Sequence, residues 1–158
     1  MKRLILIVLV AITLHPLRGQ TVDNTITPFL MFEGEAEEAM NFYVSLFDNS
    51  EITEITRYKA GEVGREGSVM LATFVLNGMK VMCIDSPGEH PFSFTPSISL
   101  YVSCTTEEEV ERLFNELSEG GQVLMPLNSY PFSEKYSWVN DRFGVSWQLS
   151  LQKQGNTD

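Results

Sequence analysis

The spacing of apolar residues along the chain changes period several times, and each change marks an element. Residues 26–32 form a short apolar run that reads as a strand and breaks at Gly34. From 35 to 47, Ala36, Ala39, Met40, Tyr43 and Phe47 recur at three-four spacing, which is the stripe of a helix with one buried face. Glu35, Glu37 and Glu38 crowd its first turn, where the helix dipole favours negative charge. Residues 51–58 alternate as a half-exposed strand does, and 68–76 make a longer apolar strand. Gly61, Gly64 and Gly67 lie between those two strands and not ahead of a helix, so they read as loop. Asn77-Gly78 is a two-residue hairpin signal, which predicts that 79–84 pairs back antiparallel.

A connector over 86–96 carries Pro87, Pro91 and Pro96, and after it the order restarts. Residues 97–102 read as a strand. Thr106 and Glu109 fit a capping box ahead of a second stripe, Val110, Leu113, Phe114 and Leu117, which Gly120-Gly121 terminates. Three more strands follow over 122–125, 135–140 and 145–151. The last two flank a tight turn closed by Gly144. Alternation puts Val145, Trp147 and Leu149 on one face of the final strand and Ser146, Gln148 and Ser150 on the other. Both halves, 26–85 and 97–151, thus have the order strand, helix and three strands. Neither has a sheet face large enough to seal a core alone. The expectation is an α+β domain of two βαβββ modules, paired so that a concave inner surface remains.

Composition adds context. The chain has 158 residues, enough for one domain. Residues 1–19 have the pattern of an export signal: Lys2 and Arg3, the apolar run 4–12, then a polar stretch. That run is too short to span a bilayer as a helix. Residues 20–25 then form a linker, 152–158 a tail, and the mature domain is expected to be periplasmic or extracellular with no membrane attachment. The formal net charge is −10, and losing Lys2, Arg3 and Arg18 would leave 8 basic against 21 acidic side chains. Such a surface repels phosphates, which argues against nucleic acid and anionic membrane as partners. Cys83 and Cys104 are the only cysteines; export permits a disulfide, while their apolar strand contexts suit buried thiols.

Four phrases carry a family resemblance: Ile26-Thr-Pro-Phe-Leu-Met-Phe32, Glu37-Glu-Ala-Met-Asn-Phe-Tyr43, the strand 98–102 ahead of Thr106-Glu-Glu-Glu-Val110, and Asp141-Arg-Phe-Gly-Val-Ser-Trp-Gln148. Together they resemble the PhnB-like branch of the vicinal oxygen chelate, or glyoxalase/bleomycin-resistance, superfamily, over 26–151. That branch often carries the label 3-demethylubiquinone-9 3-methyltransferase. The label fits poorly, because an S-adenosylmethionine methyltransferase needs a parallel sheet with a glycine-rich turn after its first strand, and no such βαβ pattern occurs here.

Metal-dependent enzymes of the superfamily draw ligands from the first and last strand of each module. The matching positions here are Pro28, Cys83 or Asp85, Ser97 and Gln148. Proline and serine are poor donors, and a neutral glutamine holds a divalent ion weakly without anionic or imidazole companions. His90, in the proline-rich connector, reads as a loop histidine. The resemblance therefore implies a retained cavity with no metal cofactor. Candidates for its lining are Phe32, Asp85, Ser99, Tyr101, Trp138 and Gln148. Tyr101 and Trp138 more often serve as core or rim packing than as ligand platforms, Asp85 equally suits capping the turn before Pro87, and Asp141 reads as a turn former. No catalytic dyad or triad is legible by spacing. The expected function is binding of a small organic molecule by a homodimer, the pairing implied by the resemblance. A metal-dependent enzyme and an interaction domain with a filled cavity are the alternatives.

Overall fold

The computed structural model describes residues 25–151. The expected export signal, nearly all of the linker after it and the C-terminal tail lie outside the described residues. In chain order the elements are β1 (Phe29–Phe32), α1 (Ala36–Leu46), β2 (Glu51–Arg57), β3 (Val69–Leu76), β4 (Met79–Asp85), β5 (Leu100–Cys104), α2 (Glu107–Ser118), β6 (Gln122–Tyr130), β7 (Ser133–Asn140) and β8 (Ser146–Leu151). They form two four-stranded sheets, β1-β4-β3-β2 and β5-β8-β7-β6. In each, the first strand lies parallel to the last and every other pairing is antiparallel. The two βαβββ modules expected from the repeat are present, with identical strand orders.

Both helices bury most of the stripe that their spacing predicts; Phe114 is half-buried, and Leu46 takes the place of Phe47, which lies past the helix end. Ala36, Ala39, Met40, Tyr43 and Leu46 are buried on α1, and Val110, Leu113 and Leu117 on α2. An isolated helix as short as α1, with 11 residues, is marginal in water, so packing holds it. Burying side chains such as Met40, Tyr43 and Leu46 contributes roughly 1.5–3 kcal/mol each. Thr106 caps α2 by accepting from the Glu109 amide at 3.1 Å. The Glu109 carboxylate does not close the box on Thr106; it takes the Thr105 amide at 2.7 Å instead.

One core joins the modules. Phe74, Val81 and Cys83 from the first sheet and Val139, Trp147 and Leu149 from the second belong to a single buried cluster with both helices. Tyr43 on α1 lies 5.2 Å from the Trp147 ring, and its hydroxyl donates to Asp141 at 2.7 Å. Phe47, which follows α1 with extended backbone, stacks on Trp147 at 5.9 Å.

Several strand boundaries differ from expectation: β1 begins at Phe29 and not at 26, and β7 at Ser133 and not at 135. β6 runs through Pro126 to Tyr130, where the sequence pattern ends at Met125. Proline is tolerated because β6 is an edge strand, and its ladder to β7 slips in register three times. β5 starts at Leu100 and not at 97, because a turn brings the Ile98 amide back to the Thr95 carbonyl. The Asn77-Gly78 hairpin forms as predicted, with both residues at positive φ, 45° and 87°.

Candidate functional site

Strand alternation decides what each sheet shows on the side away from the helices. On β8, Trp147 and Leu149 turn into the core, so Gln148 points the other way, half-buried, with Ser146 and Ser150 on the same side. Register places Tyr101 of β5 and Trp138 of β7 directly opposite Gln148, one on each flank. Tyr101 is 53% exposed and Trp138 is half-buried. Ser99 joins this face just ahead of β5, its hydroxyl 2.8 Å from that of Ser146. Four of the six residues singled out from sequence, Ser99, Tyr101, Trp138 and Gln148, therefore share one face.

The other two sit elsewhere. Phe32 is buried in the shared core, against Phe94 at 5.1 Å and Phe143 at 6.4 Å. Asp85 is buried at the end of β4 and spends its carboxylate on backbone. Oδ1 accepts from the Gly34 and Ala36 amides, each at 2.9 Å, and Oδ2 from the Val69 amide at 2.9 Å. The expectation that both line the same surface as Gln148 is corrected by this geometry. A carboxylate that ties β1, α1 and β3 together is structural, and a phenylalanine paired in register with it faces the same way.

Hydrogen bonds give the face a defined polarity. The Tyr136 hydroxyl donates to Gln148 Oε1 at 2.7 Å. The indole N–H of Trp138 donates to the Ser146 hydroxyl at 2.8 Å, which in turn lies against Ser99. Burial raises the Tyr136 pKa, with the neighbouring phenols of Tyr101 and Tyr130 adding to it, so this group stays a neutral donor. Tyr130 and Phe132 pack on the Tyr136 ring at 5.8 and 5.1 Å and carry the aromatic surface to the tip of the β6–β7 hairpin. Sequence reading passed over Tyr136, although its position two residues before Trp138 puts it on the same side of β7.

The remaining donors that superfamily metal sites would use are engaged otherwise. Cys83 is fully buried, its thiol pushed up to about 12 chiefly by desolvation and then by Asp85. The Ser97 hydroxyl pairs with Thr95 at 2.6 Å. His90 is exposed, with Nε2 2.7 Å from the Ser86 hydroxyl and its ring stacked on Phe92 at 4.9 Å. Among the described residues no three His, Cys, Asp or Glu side chains converge. Cys83 and Cys104 are free buried thiols. Asp141 does form its turn, Oδ1 accepting from the Phe143 and Val145 amides at 2.9 and 3.0 Å. It also takes Tyr43 and the Trp147 indole at 2.7 and 2.8 Å, so it fastens one module to the other.

Comparison with known proteins places this architecture. Residues 24–150 match the family model described as 3-demethylubiquinone-9 3-methyltransferase. The chain is similar to a putative 3-demethylubiquinone-9 3-methyltransferase, PhnB protein, from Bacillus cereus, at 62% identity, covering 80% of this chain and 98% of that one with a TM-score of 0.79. Protein PA1353 from Pseudomonas aeruginosa is 28% identical, covering 80% and 96%, with a TM-score of 0.71. The fold alone is shared with the fosfomycin resistance protein FosX from Listeria monocytogenes, described with Mn(II) and sulfate, at 12% identity, 85% and 94% coverage and a TM-score of 0.57.

Proposed function

Because this chain belongs to the PhnB-like family whose model carries the 3-demethylubiquinone-9 3-methyltransferase description, within the vicinal oxygen chelate superfamily, we propose that it binds a small organic molecule without a transition metal. The observation that carries this reading is the row Tyr101, Gln148 and Trp138, an amide set between two aromatic side chains on the helix-free face of the second sheet. Such a surface combines apolar area with a few placed polar groups, as ligand sites do. The donors present do not suit a divalent ion. Pro28 offers no side-chain donor, Asp85 holds three backbone amides, and the Gln148 oxygen already accepts a proton from Tyr136.

The methyltransferase description finds no support in the topology. Each sheet has only one parallel pair, formed by its first and last strands, and neither is the parallel sheet on which a glycine-rich cofactor turn is built. Pairing of two copies is part of the proposal. Phe29 on the first sheet and Tyr101 on the second are 52% and 53% exposed, and a second copy would cover such surface. Export with removal of about the first nineteen residues is the third part, resting on the basic start and apolar run of residues 1–19.

Thermal-shift screening of purified protein against small aromatic compounds tests the binding reading. A hit should lose about 1–3 kcal/mol of binding free energy in Gln148→Ala, the usual penalty for an unmatched polar partner. One zinc, iron, nickel or manganese per chain by elemental analysis would overturn the metal-free reading. Light scattering that shows a monomer at micromolar concentration would remove the homodimer, and mature protein beginning at Met1 would remove export.

A further inference from the structure

Resting on that reading, we infer that the site selects a neutral, flat molecule by a carbonyl oxygen, received by the Gln148 side-chain N–H groups between Tyr101 and Trp138. The inference comes from following each proton along the hydrogen bonds of the face. Tyr136 is buried, and the one acceptor its hydroxyl reaches among the described residues is Gln148 Oε1. Its proton must go there, since a buried hydroxyl without an acceptor is costly. This fixes the amide: the oxygen points to Tyr136, and the Nε2 group, with two donors, has no protein acceptor among the described residues.

The serine pair adds polarity without a fixed direction. An indole N–H can only donate, so Ser146 accepts from Trp138, while either hydroxyl of Ser146 and Ser99 can donate to the other. Ser99 and Gln148 lie on neighbouring strands, about two residues apart along the ladder, hence roughly 7 Å from one another, too far for one oxygen to bridge. The Gln148 amide offers hydrogens, and a ligand must supply lone pairs.

Charge chooses among the acceptors. The chain carries a net −10, and Lys135, the basic residue on β7, turns to the helix side and pairs with Glu107 and Glu111. A carboxylate brought against this face would lose water with no cation among the described residues of β5, β7 and β8 directed at it. A ketone, amide or ester oxygen meets the same donors at much lower cost. The rings of Tyr101 and Trp138 flank the amide and suit a flat apolar body on either side of that oxygen.

Four matched probes separate the possibilities: acetophenone, α-methylstyrene, benzoate and benzylamine, titrated into isotope-labelled protein while the side-chain amide signals of Gln148 are followed by NMR. Acetophenone should bind about tenfold more tightly than α-methylstyrene, its carbonyl-free isostere, because the unpaired N–H groups reject the alkene. Benzoate and benzylamine should bind more weakly than acetophenone. In the paired substitution Tyr136→Phe with Gln148→Met, which leaves no orphaned phenol, the preference for the ketone should vanish. Equal binding of ketone and alkene, a preference for benzylamine, or a preference surviving in the double variant would overturn the inference while the small-molecule reading stands. If none of the four binds up to its solubility, both fall.

Discussion

The same ladder position in the two modules carries opposite chemistry. Counting back three residues from the end of the parallel pair gives Tyr101 opposite Gln148 in the second sheet and Phe29 opposite Met82 in the first. The next strand supplies Trp138 in one and Thr73 in the other. So the row Tyr101, Gln148, Trp138 has Phe29, Met82, Thr73 as its counterpart. The exposures of Phe29 and Tyr101 are nearly equal, 52% and 53%, which shows that the backbone frame is shared while its outward chemistry is not. In the first sheet that row has a thioether where the second has an amide, and the buried carboxylate is on the opposite side, at Asp85. Duplication preserved the core stripe in both halves; the polar network was built on one half only.

A buried carboxylate anchors each module, and removing them measures how unequal the halves are. Asp141 accepts from the Tyr43 hydroxyl, the Trp147 indole and two backbone amides, and it joins α1 to the second sheet. Asp141→Ala leaves four buried donors unpaired and should destabilise the fold by about 3–5 kcal/mol. Asp85→Ala frees three backbone amides and should cost somewhat less, about 2–4 kcal/mol. Urea midpoints of the two variants decide the matter. An Asp141→Ala protein as stable as wild type would mean that the modules are held together without this carboxylate, by the apolar core and by contacts such as the Arg112 guanidinium donating to the Leu46 carbonyl.

The sequence pattern reached as far as local periodicity does. Both helix stripes, the Asn77-Gly78 hairpin and the facing of Trp147 against Gln148 follow from spacings of 3.6 and 2 residues. Three things were out of its reach. Pro126 ended the β6 pattern at Met125, because nothing local announces that a strand is an edge. Asp85 looks alike as a cavity wall or as a clamp, since its partners Gly34, Ala36 and Val69 lie 16 to 51 residues away in the chain. The first-module counterpart of Gln148 was placed at Cys83 or Asp85, whereas the ladder gives Met82; a slip of one residue exchanges the two sides of a strand.

The two thiols offer a second contrast, now through pH. Burial pushes Cys83 and Cys104 up to about 12, from an ordinary value near 9. A group whose folded pKa is raised gives stability that is complete below its unfolded pKa and is lost as pH climbs through the folded one. Between about pH 9 and pH 10 each thiol should therefore remove about 1 kcal/mol, about 2 kcal/mol for the pair. The Cys83→Ala with Cys104→Ala protein serves as the reference, because it keeps the alkaline response of Tyr43 and the other tyrosines. If both proteins lose stability with the same slope above pH 9, the thiols are not the buried groups that the structure makes them.

On the polar face the expected effects are smaller. Ser146→Ala removes the acceptor of the Trp138 indole and the hydroxyl partner of Ser99. A cost of about 1–2 kcal/mol should follow, together with a change in Trp138 fluorescence as its N–H seeks water. In the first module, Met82→Leu at the counterpart of Gln148 touches no side-chain hydrogen bond and should stay below about 1.5 kcal/mol, as volume-conserving swaps do. Equal costs at the two positions would erase the distinction between the faces.

The smallest expected effect concerns the turns that join the last two strands of each module. In the first, Asn77 and Gly78 form a two-residue turn with φ of 45° and 87°. In the second, Asp141 to Gly144 make a four-residue turn closed by the Gly144 amide on the Asp141 carbonyl at 2.9 Å, with Gly144 at φ 85°. A Cβ at Gly78 would meet nothing within 4 Å, and one at Gly144 would stand at ordinary contact, 3.7 Å, from Phe94. Neither substitution to alanine meets a clash, so each should cost only the left-handed backbone, about 1 kcal/mol. The first turn is free to relax, since its neighbours are solvent; the second is pinned by the carboxylate of Asp141 through the Phe143 and Val145 amides. Gly144→Ala should therefore cost slightly more than Gly78→Ala, and the excess should disappear when both are made in an Asp141→Ala background. An excess that persists there would place the constraint in the Phe94 contact and not in the carboxylate.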